Sequence, residues 1–311
     1  MKNNQHLLLV RFSEIGIKSK KTRHWFTSIL VNHIKYCLNY FNIQDFSVLN
    51  QYSRIYILTN ELEKAEKIVT SFVPGVKSTS KTTKCPSKLK EIKTTIEKQF
   101  LNAIQSNSSF AVRVKRVGTH SFNSMELAAE IGSFILEKCS NNKLKVDLTS
   151  PEYTLFIEVR EKDAYLYHRK EEGLGGLPVG CQGKVLVLVE GKKEDLTNTI
   201  KMYQRGTNTV VCSLKPLKNF DKTYLNFIEL ILNLQPKMLK EQHLIVLENQ
   251  KNLIEEIHSY YLLTNSQAIV MSRDLFYRIE KRFPVTIPIF VPDLAEKPDF
   301  ENVNKILKTI E

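Results

Sequence analysis

Apolar positions change period several times in the first 75 residues. Residues 6–12 form a short extended apolar run, whereas over 23–40 Trp25, Phe26, Ile29, Leu30, Ile34, Cys37 and Leu38 recur at the spacing of one helical face. Residues 46–49 and 54–58 flank a polar turn at 50–53 and predict a hairpin. A helix over 62–72 closes this unit, ended by Pro74-Gly75.

A second unit follows. Leu89, Ile92, Ile96, Phe100 and Ile104 share one face of a helix predicted over 87–104. Over 110–117, Phe110, Val112 and Val114 alternate with Arg113 and Lys115, as in a strand with one face buried. A polar loop at 118–124 leads into a helix over 125–139, where Asn123 and Glu126 have the spacing of a capping box. Residues 153–159 and 164–168 predict a hairpin across 160–163. The stretch 171–183 holds five of the chain's eleven glycines plus Pro178, and the main domain boundary is placed there. Beyond it, strands at 185–189, 208–213, 244–247, 268–271 and 286–291 interleave with helices at 194–205, 222–234, 251–262, 274–282 and 300–310. That rhythm predicts an open parallel α/β sheet. No internal repeat or low-complexity tract is visible.

Composition adds limits. With 311 residues, 42% hydrophobic and 25% charged, the chain has the make-up of an ordinary globular protein of two or three domains. No apolar run approaches the roughly 18 residues of a membrane span. The first residues lack the pattern of a secretion leader, and five cysteines without a C-x-x-C argue against a disulfide or zinc framework. A reducing, cytoplasmic setting without membrane association is expected. Charge is unevenly placed: ten basic side chains within 71–125 face only Glu91 and Glu97. A field of that sign attracts a polyanion, most commonly nucleic acid; a solvated lysine-rich surface is the ordinary alternative.

Chemistry-bearing motifs are sparse. Gly183-Lys184 lacks the spacing of a phosphate-binding loop, having Pro178 where that loop needs glycine. The turn after the first strand of the parallel sheet reads Glu190-Gly191-Lys192-Lys193-Glu194-Asp195, with one glycine and several acids where a pyrophosphate site wants small residues. The seven histidines show no metal-ligand spacing, so no metal site and no catalytic residue is assigned. His120 is the most suggestive, in a polar loop near Arg113, Lys115 and Arg116. Cys181 lies in the glycine-rich connector, and Cys212 ends a predicted strand.

These residues together resemble the tRNA 4-thiouridine synthases, or tRNA sulfurtransferases. Residues 9–20 (LVRFSEIGIKSK) are similar to the family's R-Y-G-E-I-x-L-K-G-K opening. Residues 110–132, with Val146-Asp147-Leu148 and Phe156-Ile157-Glu158-Val159-Arg160, resemble its THUMP domain. Residues 173–187 (GLGGLPVGCQGKVLV) resemble the linker entering its adenylating domain. The resemblance implies a ferredoxin-like domain and a THUMP domain that grip tRNA at its acceptor stem and 3′ CCA end. It also implies a Rossmann-like C-terminal domain of PP-loop type that adenylates uridine 8 with ATP, sulfur arriving as a persulfide. The family's S-G-G-x-D-S signature falls, without gaps, on residues 190–195, where only Gly191 matches. Ser272-Arg273-Asp274 stands where the family has glycine-glutamate-serine, its cysteine-bearing segment has no counterpart in 291–311, and its arginine-rich helix reads Lys251-Asn252-Leu253-Ile254-Glu255-Glu256.

The expected fold is therefore α/β and α+β multidomain: a ferredoxin-like domain (1–75), a THUMP domain (76–172), a linker (173–184) and a degenerate PP-loop-like domain (185–311). Expected RNA contacts are Lys18, Lys20, Lys21, Arg23, Lys81, Lys84, Arg113, Lys115, Arg116, His120, Arg169 and Lys170, with Trp25, Phe26 and Phe122 as candidate stacking partners. The degenerate nucleotide loop comprises Leu188, Val189, Glu190, Gly191, Lys192, Glu194, Ser213 and Leu214. The leading expectation is a tRNA-binding chain that binds no cofactor and serves a separate adenylating or sulfur-carrying subunit; a homodimer is left open. The alternative is an active, divergent sulfurtransferase that uses ATP and Mg, with Cys181 or Cys212 carrying the persulfide. A module serving another modification, such as methylation, is disfavoured by the lack of a glycine-rich cofactor loop.

Overall fold

A computed structural model describes residues 5–12, 19–51, 53–235, 244–247, 252–279, 282–283, 286–292 and 301–310. The chain opens β1 (Gln5–Phe12), α1 (Lys20–Tyr40), β2 (Phe46–Gln51), β3 (Arg54–Thr59), α2 (Leu62–Phe72), β4 (Val76–Pro86). This βαββαβ order is the ferredoxin-like one. Then come α3 (Leu89–Gln99), β5 (Ser109–Val117), α4 (Ser124–Lys138), β6 (Lys145–Val146), β7 (Tyr153–Arg160), β8 (Asp163–Tyr167) and β9 (Glu171–Glu172). A nine-stranded sheet runs β2-β3-β1-β4-β8-β7-β5-β6, with β9 beside β4.

The strand β4 is absent from the hydrophobic pattern. Its sequence, VKSTSKTTKCP, is nearly all polar, yet most of its residues are buried. Threonine suits a strand because its branched Cβ packs well on a pleated surface. Burial is tolerated because the hydroxyls are bonded: Thr79 donates to Glu66 Oε1 (2.9 Å), Ser80 to the Arg169 carbonyl (2.7 Å) and Thr83 to Gln99 Oε1 (2.6 Å).

Two compact units emerge, one of Met1–Val10, Asp45–Glu66 and Thr79–Glu171, the other of Arg11–Gln44, Lys67–Ser78 and Glu172–Glu311. In the first, Ile92 and Ile96 of α3 and Leu127, Ile131 and Ile135 of α4 pack on Phe110, Val112, Leu155 and Ile157 of the sheet. Each such side chain contributes about 1.5–3 kcal/mol on burial. The capping box forms as its spacing predicts: Asn123 Oδ1 accepts from Met125 N and Glu126 N, and Glu126 accepts from Asn123 N.

The second unit contains β10 (Lys184–Val189), α5 (Lys193–Gln204), β11 (Asn208–Ser213), α6 (Lys222–Asn233), β12 (Leu244–Val246), α7 (Leu253–Leu263), β13 (Ala268–Val270), α8 (Arg273–Ile279), β14 (Ile289–Phe290) and α9 (Glu301–Ile310). Its five strands are all parallel, in the order β12-β11-β10-β13-β14. The last strands are shorter than the apolar runs that predict them, β14 covering two residues of the expected 286–291. The strand order reverses direction between β10 and β13, which is where an open α/β sheet has its ligand crevice, at the strands' carboxyl ends.

Candidate nucleic-acid interface and nucleotide loop

β6 pairs only with Ser109 and Phe110 of β5, so from Ala111 onward the outer edge of β5 carries no strand among the described residues. Beside that edge, β5 and α4 bound a groove of about 770 Å³. Its walls are apolar, and Met125, Leu136, Val146 and Leu148 reach solvent, Met125 at 82% exposure. Arg113, Lys115 and Lys170 also line it. The Arg113 guanidinium donates to the Leu148 carbonyl, and the Lys170 ammonium lies 3.9 Å from the centre of the Phe156 ring, a cation–π contact. Glu158, the acid of the lining, is buried and turned to other partners: Arg160 (2.8 Å), Arg54 (3.2 Å) and the Tyr167 hydroxyl (3.1 Å). Its charge is thereby matched, and the groove keeps a positive, partly apolar surface.

The other expected RNA contacts are placed as follows. Arg116 donates to the Gly118 carbonyl (2.7 Å), and His120 to that of Glu161 (2.7 Å) while stacking on Phe122. Both lie in or next to the loop after β5. On β4, Lys81 pairs with Glu63 (3.0 Å) and Glu66 (3.7 Å), and Lys84 with Asp163 (2.9 Å). Arg169 is exposed beside His168, at a smaller cavity of about 330 Å³. Lys20, Lys21 and Arg23 belong to the first turn of α1 in the second unit, where Trp25 is exposed and Phe26 buried. Lys18 lies outside the described residues. The structure thus gathers Arg113, Lys115 and Lys170. Sequence reasoning did not single out the apolar wall; Met125, next to the helix cap, was its one visible sign.

The turn expected to be a degenerate nucleotide loop makes its hydrogen bonds largely within itself. Leu188 and Val189 are buried at the end of β10, and Leu214 N–H donates to the Val189 carbonyl (2.9 Å). Ser213 is buried and its hydroxyl donates to the Lys215 carbonyl (2.6 Å). Glu194 sits half-buried at the start of α5. The backbone N–H groups of Glu190, Gly191 and Lys192 all donate to Asp195 Oδ2, at 2.8, 3.1 and 3.0 Å. Burial pushes the Asp195 carboxyl up to about 6, against the opposing pull of those three N–H groups. Gly191 has φ +89°, and a Cβ there would press on the Phe220 ring. Two ion pairs tie the turn to α8 across the crevice, Lys192 to Asp274 (3.0 Å) and Glu190 to Arg278. Asp195 stands in the turn as read from the sequence but not among the residues assigned to the loop, and nothing in the residue pattern marks its contact with three main-chain N–H groups.

All five cysteines are buried, and burial pushes the Cys212 thiol up to about 12. Among the described residues no three His, Cys, Asp or Glu side chains are placed to hold a metal ion, and no helix is long and apolar enough to cross a membrane.

Comparisons with known proteins converge. Residues 7–80 match the ThiI ferredoxin-like domain and residues 86–169 the THUMP domain. A probable tRNA sulfurtransferase of Methanobrevibacter smithii is 34% identical over 241 residues, covering 75% of this chain and 60% of that protein. One of Methanosarcina mazei is 32% identical over 215 residues, covering 68% and 53%. The chain therefore spans a little over half the length of these curated relatives. Among solved structures, a Pyrococcus horikoshii protein superposes with a TM-score of 0.75 at 22% identity, covering 98% of both chains. A 4-thiouridine synthetase, crystallised with RNA and ATP, gives 0.72 at 20% identity, covering 98% of this chain and 85% of the other. At that identity the likeness speaks for the fold. By its ferredoxin-like and THUMP domains, this chain belongs to the tRNA sulfurtransferase family.

Proposed function

We propose that the chain acts in tRNA thiolation by holding tRNA at its acceptor stem and 3′ CCA end, and that its C-terminal lobe does not adenylate. The observation that carries the first part is the groove beside β5, where Arg113, Lys115 and Lys170 border exposed apolar walls. Unpaired nucleotides offer both phosphates for the cations and base faces for apolar surfaces. Support comes from the family and from the fold shared with a synthetase crystallised with RNA. The second part is supported by the loop at 190–195, whose N–H groups are already bonded to Asp195 and whose mouth is crossed by two ion pairs.

On this reading a separate adenylating or sulfur-carrying subunit supplies the chemistry, in the cytoplasm. Of the two cysteines in the persulfide alternative, Cys212 is disfavoured, because a thiol must ionise to act as a nucleophile and burial suppresses its ionisation.

The test is a pair of titrations. Fluorescence anisotropy with tRNA and with acceptor-stem minihelices should show binding that weakens as salt rises, and weakens further when CCA is removed. Calorimetry with ATP, with and without tRNA, should show no saturable heat. Equal affinity for the CCA-less minihelix would sink the acceptor-end assignment, and saturable ATP binding would sink the non-adenylating one.

A further inference from the structure

The turn after β10 lies at the carboxyl edge of a parallel sheet, beside the point where strand order reverses, and there the backbone of an open α/β fold meets its ligands. Successive main-chain N–H groups aimed at one point form a concavity suited to an anion. Here those of Glu190, Gly191 and Lys192 meet at a single oxygen, which belongs to Asp195. That side chain is only 1% exposed. The Tyr224 hydroxyl approaches the same oxygen from α6, at 3.4 Å.

We propose that Asp195 is the resident anion of this turn: its carboxylate fills the concavity that a phosphate group would take, so the lobe is closed to nucleotide phosphates by occupation and not by loss of the cradle. This rests on the non-adenylating reading and names its cause. Three N–H groups directed at one carboxylate oxygen are not available to a phosphate oxygen, and the negative charge of Asp195 repels a second anion. Glu190, 9% exposed at its side chain, is held at the mouth by its ion pair with Arg278. The same contacts let the turn keep its shape with nothing bound.

The experiment compares the full chain with its Asp195→Ser variant, using inorganic phosphate as the probe. The wild-type melting temperature should not respond to phosphate beyond a chloride control at equal ionic strength. Asp195→Ser should melt lower and recover by a few degrees as phosphate is titrated, the linkage of a ligand that binds only the folded state. An Asp195→Ser protein that melts like wild type, or that melts lower and ignores phosphate, overturns the proposal. If that variant does not fold, Asp195→Asn serves: hydrogen exchange at the amides of Glu190, Gly191 and Lys192 should quicken at least tenfold while the Val187 amide is unchanged. Unaltered exchange at all four amides is the contrary result. Phosphate or ATP binding by the wild type would defeat the parent reading; its absence, together with an indifferent variant, defeats only the occupation of the cradle.

Discussion

His33 Nε2 lies 2.9 Å from the carbonyl oxygen of Leu234 and donates to it from within a fully buried site. The Tyr203 hydroxyl, 3.3 Å from the same nitrogen, donates to the Phe72 carbonyl (2.9 Å), so one polar knot joins α1, the end of α2, α5 and the end of α6 inside the second unit. His33 Nδ1 has no hydrogen-bond partner among the described residues. Protonating it would bury an unbonded charged N–H, and desolvation accordingly lowers the imidazole to about 4.

The sign of the resulting pH dependence is fixed. Below about 6.5 the unfolded chain takes up a proton that the folded histidine refuses until about 4. Stability from this site is complete above pH 6.5 and is lost as pH falls toward 4, by up to roughly 3 kcal/mol. His33→Gln keeps a donor for Leu234 and does not titrate. Urea unfolding at pH 7 and pH 5 should show a smaller acid loss in that variant than in wild type; equal losses would remove His33 from the account.

Asp195 acts in the opposite sense. Its folded carboxyl is raised to about 6 from 3.8, so burying it in ionised form costs stability at neutral pH. That cost is relieved as pH falls from 6 toward 4. Asp195→Asn should therefore lose more stability than wild type over that interval, because the compensating uptake is gone. Unfolding curves at pH 6.5 and 4.5 give the comparison, and parallel behaviour of the two proteins would refute it.

Arg113→Ala, Lys115→Ala and Lys170→Ala should each weaken tRNA binding and reduce the salt slope by about one unit per phosphate contact removed. Arg116→Ala and His120→Ala test whether the loop after β5 contributes as well. Affinity and slope that are unchanged in the Arg113, Lys115 and Lys170 triple variant would move the interface elsewhere.

Thr79→Val should destabilise the first unit by about 1–3 kcal/mol despite its near-identical shape, because it strips the donor from the largely buried Glu66. Burial already raises the Glu66 carboxyl, against the pull of Thr79 and Lys81. Thr79→Ser, which retains the hydroxyl, should cost less than Thr79→Val in chemical denaturation. The reverse order would show that the methyl group, not the hydrogen bond, holds β4.

What the sequence revealed and concealed follows from the kind of force at each place. Elements held by apolar faces were legible: α3 through Ile92 and Ile96, β10 through its run from Val185 to Val189, and the entry to α4 through Asn123 and Glu126. β4 was hidden because hydroxyl bonds, not apolar side chains, settle its burial, and hydrophobic periodicity carries no trace of such partners. The cations of the groove could be read as charge, but only the fold separates Arg113 and Lys115 from Lys81 and Lys84, which spend their charge on neighbouring carboxylates. Asp195 was visible as one acid among several in a poor phosphate loop; that it turns back onto three amides depends on the conformation of the turn.

The margin of β5 from Ala111 to Val117, which no strand among the described residues covers, has a consequence for self-association. An unpaired strand edge is a template on which another molecule's strand can grow. Arg113 and Lys115 are exposed on one face of that edge strand, so two copies paired edge to edge would bring like charges near each other. The side chains proposed for phosphate contacts then also oppose strand pairing between copies, and neutralising them should lower the concentration at which the protein begins to form strand-linked aggregates.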